Sequence, residues 1–403
     1  MAQVISVPYV SLTTFTVIQR YYAFIWDLNN NTLALNVSVD GGATWTWPSL
    51  GTAPAGAQTP AAATAFFSGK VAADGSGINQ FYAFVIGSDG NLWVCVSLDD
   101  GNTWNWQNQG VPPTGATISG PPAAISQQVQ AVPFQQGVFC HVIGNDGNLY
   151  VNYSEDNGAT WQWANLAAPP GTTLAPGAAT SISFDGSAQQ TIYAFAVGND
   201  NNLYANYGDG THGKWLSLEH PPTTQLAIVG NNALTSLTFI TNVVKTPNAI
   251  IADGWMLVFA VGLDGKLYLC YSPGSGVGWQ WQDLGLPQPG IQGFTGNALL
   301  VSNQNGTTYT ESVFASAIGA LQLYMDFTAD ASQGSAAVWQ WQPRGAPPNA
   351  QLLNVNGAVA SSEVGSSLAE RQIFVFVTDG FGDVHTCRWN GSQWTWYDQQ
   401  GPP

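Results

Sequence analysis

Polar and apolar positions alternate in short runs along this chain, and the runs return in the same order. Within residues 64–106, a small-residue stretch, Thr64-Ala65-Phe66-Phe67, precedes the apolar run Phe81-Tyr82-Ala83-Phe84-Val85-Ile86, and Leu92-Trp93-Val94-Cys95-Val96-Ser97 follows. Short runs rich in aromatic and β-branched residues, bounded by Gly, Asp and Asn, read as β-strands. Gly87-Ser88-Asp89-Gly90 joins the last two. An Asp-Gly step between such runs is a strong hairpin signal, because both residues tolerate positive φ. Asp146-Gly147 and Asp264-Gly265 repeat the step, and Asp200-Asn201 substitutes for it. A polar loop, Leu98-Asp99-Asp100-Gly101-Asn102, then leads into a fourth strand marked by Thr103-Trp104-Asn105-Trp106.

That Trp-x-Trp ending organises the whole sequence. It recurs as Trp45/Trp47, Trp104/Trp106, Trp161/Trp163, Trp279/Trp281, Trp339/Trp341 and Trp394/Trp396. Trp215-Leu216-Ser217 is a degenerate copy, read with Ser217 in place of the second tryptophan. Copies spaced about 58 residues apart are the signature of a repeat architecture. Four strands per unit in seven units predict an all-β chain, a seven-bladed β-propeller with four antiparallel strands per blade. The repeats fall at about 1–54, 55–113, 114–170, 171–222, 223–289, 290–348 and 349–403, as one propeller domain. Steps such as Gly110-Val111-Pro112-Pro113 and His220-Pro221-Pro222 close the outer strands, since proline cannot donate to a ladder. An open solenoid would need atypical capping repeats. The last copy instead keeps its full Trp394-Thr395-Trp396 signature, so the first repeat is expected to pack on the last and close a ring.

Charge narrows the partners. The chain holds 8 Lys+Arg against 24 Asp+Glu, a formal net charge of -16, and charged residues make up only 8%. Such a chain repels phosphate backbones, so no nucleic acid is expected as a partner. No run approaches the roughly 18 apolar residues of a spanning helix, so no membrane insertion is expected. The first residues, Met1-Ala2-Gln3-Val4-Ile5-Ser6-Val7-Pro8, do not resemble a signal peptide. Aligned third strands put Asn36, Cys95, Asn152, Asn206, Cys270, Asp326 and Cys387 in one column, and Cys140 falls in a second strand beside Ala83 and Ala194. Cysteines on different blades lie too far apart to bridge. Unpaired thiols without a leader point to a cytoplasmic protein, with release by a non-classical route left open. With no CxxC or Cys/His cluster, neither a metal nor another cofactor is expected.

Candidate chemistry sits in the outer loops and strands. Ser-x-Asp-x-Gly-x-Thr-Trp occurs at Ser38/Asp40/Gly42/Thr44/Trp45, Ser97/Asp99/Gly101/Thr103/Trp104 and Ser154/Asp156/Gly158/Thr160/Trp161, and resembles the Asp-box hairpin of sialidases and other propellers. Its carboxylate can accept loop N–H groups and its glycine permits positive φ, so the aspartates read as structural. Sialidases resemble one another in three substrate-binding arginines. This chain has only Arg20, Arg344, Arg371 and Arg388, none in an innermost strand, and no enzyme activity is expected. A glycosidase or lyase with paired carboxylates at a central channel, and a protein-interaction scaffold, remain the alternatives. His141, His212, His220 and His385 are scattered, and His141, in the column of Phe84 and Phe195, reads as packed.

Tryptophans at i and i+2 share one face of a strand. The first of each pair reads as core between blades. The second reads as a half-exposed plate for the apolar face of a sugar, with Asn, Gln, Ser and Thr beside it for the hydroxyls. The sugar-binding candidates are Trp47, Trp106, Trp163, Trp281, Trp341 and Trp396, with Trp93, Tyr150 and Tyr268 from the third strands. Repeat four, lacking the second tryptophan on this reading, is expected to be the weakest site or none.

The Gly-x-Asp-Gly-x-Leu-Tyr/Trp turns and Trp-x-Trp strands together resemble the seven-bladed propeller lectins of the Photorhabdus lectin type and, more distantly, the fungal fucose-binding propeller lectins. The resemblance covers the whole chain. It implies calcium-independent binding of fucose or O-methylated sugars in pockets between blades, several sites per ring, and no catalysis. Glycans or glycoconjugates are then the partners, and pairing of rings into a homodimer is left open. The fungal lectins resemble each other in an Arg/Glu/Trp pocket, which four arginines cannot furnish around the ring; pockets built from Trp, Tyr, Asn and backbone groups are expected instead.

Overall fold

A computed structural model describes residues 2–399 except 12–15, 28–29, 31, 52, 54, 57–61, 72–76, 131–134, 178–179, 185–190, 228–233, 247–248, 274–275, 292, 306–307, 318–322, 329–337, 348–355, 363–371 and 380–382. Among the described residues every element is a β-strand, and no helix is long and apolar enough to cross a membrane. The strands form seven antiparallel sheets, six of them four-stranded meanders. The first sheet has three strands, because its fourth is reduced to the single bridge from Val37 to Thr46. Pro48, one residue past Trp47, has no N–H to extend it.

The innermost strands are Ala2–Ser11, Ala62–Val71, Ala123–Gln130, Thr180–Phe184, Thr235–Thr246, Phe294–Asn305 and Asn356–Ser362. Each approaches the next around a circle, and the last meets the first, which closes a β-propeller. The last blade is built from its own four strands, so closure uses blade packing and no shared sheet.

Blade two shows how the sequence makes a blade. Its second strand, Gly77–Ile86, is buried on both faces, hence a continuous apolar run, while no residue of the outer strand Asn105–Gly110 is fully buried. Between strands two and three, Gly90, Gly147 and Gly265 adopt positive φ, and Asn201 does so at 64° where blade four lacks the glycine. The turn aspartates contribute differently from the expectation. They hold no positive φ; instead Asp146 Oδ1 accepts the Asn148 N–H and Oδ2 accepts the Asn148 side-chain amide.

The outer loops of blades one to three dock each blade on its neighbour. In the loop of blade three, Asp156 accepts the Thr160 N–H (2.8 Å) and hydroxyl (2.7 Å), and Ser154 accepts the Gly158 N–H (2.8 Å). Asp40 and Asp99 make the same set. Burial alone would raise these carboxyl pKa values, but the converging hydrogen bonds hold them below the usual range. The tightened loop presses Gly158 onto Tyr82, Gly101 onto Tyr22 and, across the closing seam, Gly42 onto Phe374. The aspartates are therefore loop acceptors, as expected. All four cysteines are free and buried, and burial pushes the Cys95 thiol up to about 12.

Candidate functional site

The first tryptophan of five of the six pairs meets a phenylalanine of the preceding blade edge-on. Trp104 stands 5.6 Å from Phe24, Trp161 5.7 Å from Phe84, Trp279 5.7 Å from Phe195 and Trp339 5.7 Å from Phe259. Trp45 closes the series on Phe376 of the last blade at 5.1 Å. These rings belong to the core between blades, as the sequence suggested.

The second tryptophans are half-buried, and their indole N–H groups all reach backward. Trp106 donates to the Leu50 carbonyl (2.9 Å), Trp163 to Gln109 (2.8 Å), Trp281 to Leu218 (2.9 Å), Trp341 to Leu284 (2.8 Å) and Trp396 to Arg344 (2.8 Å). Trp47 reaches Gln399 across the seam at 3.4 Å. Every acceptor lies three positions beyond its own blade's second tryptophan. Each indole is thus a staple on the outer end of the preceding blade as well as a ring at the mouth of the groove. Trp341 has one face covered by Phe294 at 5.1 Å.

Blade four follows the same rule and corrects its sequence reading. Trp215 donates to the Leu166 carbonyl at 3.0 Å and pairs with Asn206, the position at which Trp163 pairs with Asn152 and Trp106 with Cys95. Trp215 is therefore the second tryptophan, and Gly213 occupies the place of the first. A side chain at Gly213 would collide with Asn206, so this blade has no room for the usual indole there. Ser217 lies beyond the pair, and repeat four keeps its groove ring.

The third-strand candidates also need correction. Tyr150 and Tyr268 are 0% and 1% exposed, so neither offers a ring face to a sugar. Their hydroxyls donate to Asp146 and Asp264 at 2.6 Å, and also meet Thr114 and Thr223 in the linkers entering their blades. They latch the linker to the turn. The matching turn glycines leave space for them: a Cβ on Gly144 would lie 2.8 Å from the Tyr150 ring. Trp93 occupies the same column, half-buried, with its N–H 3.2 Å from Asp89.

Alternation along the fourth strand points the remaining side chains toward the following blade. The groove between blades two and three is bordered by Asn105, Gln107 and Gln109 opposite Trp161 and Trp163; that between blades five and six by Gln280, Gln282 and Leu284 opposite Trp339 and Trp341. Between blades three and four the corresponding residues are Gln162, Ala164 and Leu166, and between four and five they are Lys214, Leu216 and Leu218. The outer rim thus carries one repeated apolar ring with a variable amide complement, a distinction the tryptophan count concealed. The arginines do not converge. Arg20 pairs with Asp100, Arg344 and Arg388 lie in different sheets, and Arg371 lies outside the described residues. Among the described residues no cluster of His, Cys, Asp and Glu is arranged to hold a metal.

A Trp163→Phe variant separates staple from plate, since it keeps an aromatic ring and deletes the N–H. It is expected to lose about 1–2 kcal/mol, from the missing hydrogen bond and the smaller ring. Urea unfolding measures it, and an unchanged midpoint would refute the staple role.

No protein-family model matches this chain, and no curated protein matches it. Solved propellers resemble it in structure. A mutant of AofleA from Arthrobotrys oligospora aligns with a TM-score of 0.50 at 10% identity, covering 87% of this chain and 93% of its own. Aleuria aurantia lectin, described as a six-bladed β-propeller with a novel fucose recognition mode, aligns at 0.46 with 15% identity, over 85% and 95% of the two chains. The NanB sialidase of Streptococcus pneumoniae, as a mutant, aligns at 0.44 with 12% identity, over 91% and 82%. At such identities the likeness concerns the fold.

Proposed function

We propose that this chain is a multivalent, metal-independent carbohydrate-binding protein of the lectin type, without catalytic activity, holding neutral sugars such as fucose or O-methylated sugars in the grooves between blades. The observation that supports this reading is a half-buried indole repeated around the outer rim, bordered in the two–three and five–six grooves by side-chain amides from the blade before it. An aromatic surface takes the C–H face of a pyranose, and amides supply donors and acceptors for its hydroxyls. The sites are unequal: the amide-bordered grooves, two–three and five–six, bind best, and the aliphatic grooves, three–four and four–five, bind weakly. Individual affinities are weak, and engagement of several glycans on one surface raises avidity. The buried free thiols fit a reducing, cytoplasmic setting.

The test is a glycan array with purified protein, with and without EDTA, followed by calorimetry on the best monosaccharide. Gln107→Leu changes the border of one groove and leaves its staple intact, so it should remove part of the binding stoichiometry without lowering the thermal midpoint. A well-folded protein that binds no glycan would refute the proposal. An EDTA-sensitive signal would refute metal independence.

A further inference from the structure

Arg344 stands where most other blades bury an aliphatic side chain. Leu50, Leu166, Leu218 and Leu284 occupy the same position, each offering its carbonyl to the next blade's indole, and each is buried. Arg344 offers its carbonyl to Trp396 in the same way, but its side chain brings a cation into the groove between blades six and seven.

The surroundings of that cation are neutral. The guanidinium carbon lies 5.0 Å from the ring centre of Trp394, on the following blade. Nη2 donates to Gln342 Oε1 at 2.6 Å and approaches the Met325 sulfur at 3.7 Å. Among the described residues Nη1 has only the Pro343 carbonyl, at 3.4 Å, and the buried Nε has no hydrogen-bond partner. Among the described residues no carboxylate pairs with it, although the chain carries 24 Asp+Glu against 8 Lys+Arg. Burial holds its pKa below the ordinary arginine value. A partly desolvated charge without a counter-ion is unfavourable, and stacking on an indole offsets that only in part. The contrast with the other arginines is informative. Arg20 has Asp100, and Arg388 covers Phe374, its direct cross-strand neighbour within one sheet. Among the described arginines, Arg344 alone bridges two blades at a groove and lacks an anion.

We infer that the groove between blades six and seven is an acidic-sugar subsite, in which Arg344 receives the carboxylate of a uronic acid-type residue, with Gln342, Trp394 and Trp396 as its walls. A planar guanidinium matches a carboxylate in geometry as well as charge, and a neutral sugar would leave the cation uncompensated. The inference rests on the carbohydrate-binding reading and assigns one groove a different ligand from the rest.

The experiment is calorimetry with methyl β-D-glucuronide and methyl β-D-glucoside, which differ only in the carboxylate, on the full chain and on Arg344→Met and Arg344→Lys. The wild type should prefer the glucuronide by at least about tenfold at low salt, and salt should reduce the preference. Arg344→Met should abolish the preference, and Arg344→Lys should retain a smaller one, because it keeps the charge and loses the fork. Equal binding of the two glycosides by the wild type, or an undiminished preference in Arg344→Met, would overturn the inference. Full competition by inorganic sulfate at equal concentration would also overturn it, as it would reveal a simple anion hole. Binding of neutral glycans, followed in the same samples, keeps the two ideas apart. If neutral glycans bind and the acidic preference is missing, only the subsite fails; if no sugar of either kind binds, the lectin reading fails. Thermal midpoints within a few degrees of wild type establish that the variants are folded.

Discussion

Replacing Gly158 by alanine should cost the protein about 2–5 kcal/mol, whereas the same change at Gly171 should cost about 1–2 kcal/mol. Both glycines hold left-handed backbone, with φ of 79° and 85°, so both substitutions carry the same conformational penalty. They differ in what the new methyl meets. At Gly171 nothing lies within 4 Å, while at Gly158 the Cβ would sit 2.6 Å from a ring carbon of Tyr82 and 2.7 Å from its hydroxyl. Tyr82 cannot retreat, because it is fully buried and donates to the Asn157 carbonyl at 2.7 Å. The difference between the two variants isolates the contact between the blade-three loop and blade two. Paired urea titrations measure it, and equal losses at the two sites would show that the loop does not bear on its neighbour. Gly101 against Tyr22 should behave as Gly158 does. This gives the Ser-x-Asp-x-Gly-x-Thr loop its role: the carboxylate gathers the loop tightly enough for a bare Cα to rest on the neighbouring aromatic ring.

The propeller was legible because each blade repeats the same compromise. Its second strand reads as an apolar run, its third ends in Ser at blades one, two, three and five, and its fourth carries the Trp-x-Trp signature in every blade but the fourth. The site was less legible, because its meaning depends on the neighbouring blade. Nothing within Lys214-Trp215-Leu216-Ser217 says which tryptophan is missing. Counting back from Leu218, the counterpart of Leu50, Leu166 and Leu284, would have placed Trp215 correctly. The burial of Tyr150 was hidden for a similar reason. Its latch partner, Thr114, arrives from a linker 36 residues upstream, and no local pattern announces the pair. Arg344 was visible as a rare cation, but only the fold shows that an indole and an amide surround it where a carboxylate is expected.

Between pH 6.5 and 4 the protein should lose about 3 kcal/mol of stability through His141 alone, and His141→Phe should remove that loss. At this register position the other blades place Phe24, Phe84, Phe195, Phe259, Phe314 and Phe376; His141 is the exception. It is 1% exposed, its Nδ1 has no hydrogen-bond partner, and burial among apolar groups lowers its pKa from 6.5 to about 4. The sign follows from the lowered value. Above pH 6.5 the imidazole is neutral in both states and its full contribution is present. As pH falls toward 4 the unfolded chain binds a proton that the folded chain refuses, so unfolding is favoured by about 1.4 kcal/mol per pH unit. The loop carboxylates act in a lower window. Hydrogen bonds hold Asp40, Asp99 and Asp156 below 3.8 against the opposing effect of burial, so their contribution is lost only as pH falls below that value. Urea unfolding at pH 7.5, 5.5 and 4.5 separates the two. The wild type should weaken as pH falls below about 6.5 and the phenylalanine variant should stay nearly level. The readout is the slope, so a modest packing penalty at pH 7.5 would not obscure it. Parallel pH profiles for the two proteins would mean that His141 accepts its proton inside the folded propeller, and the dry core between blades three and four would have to be reconsidered.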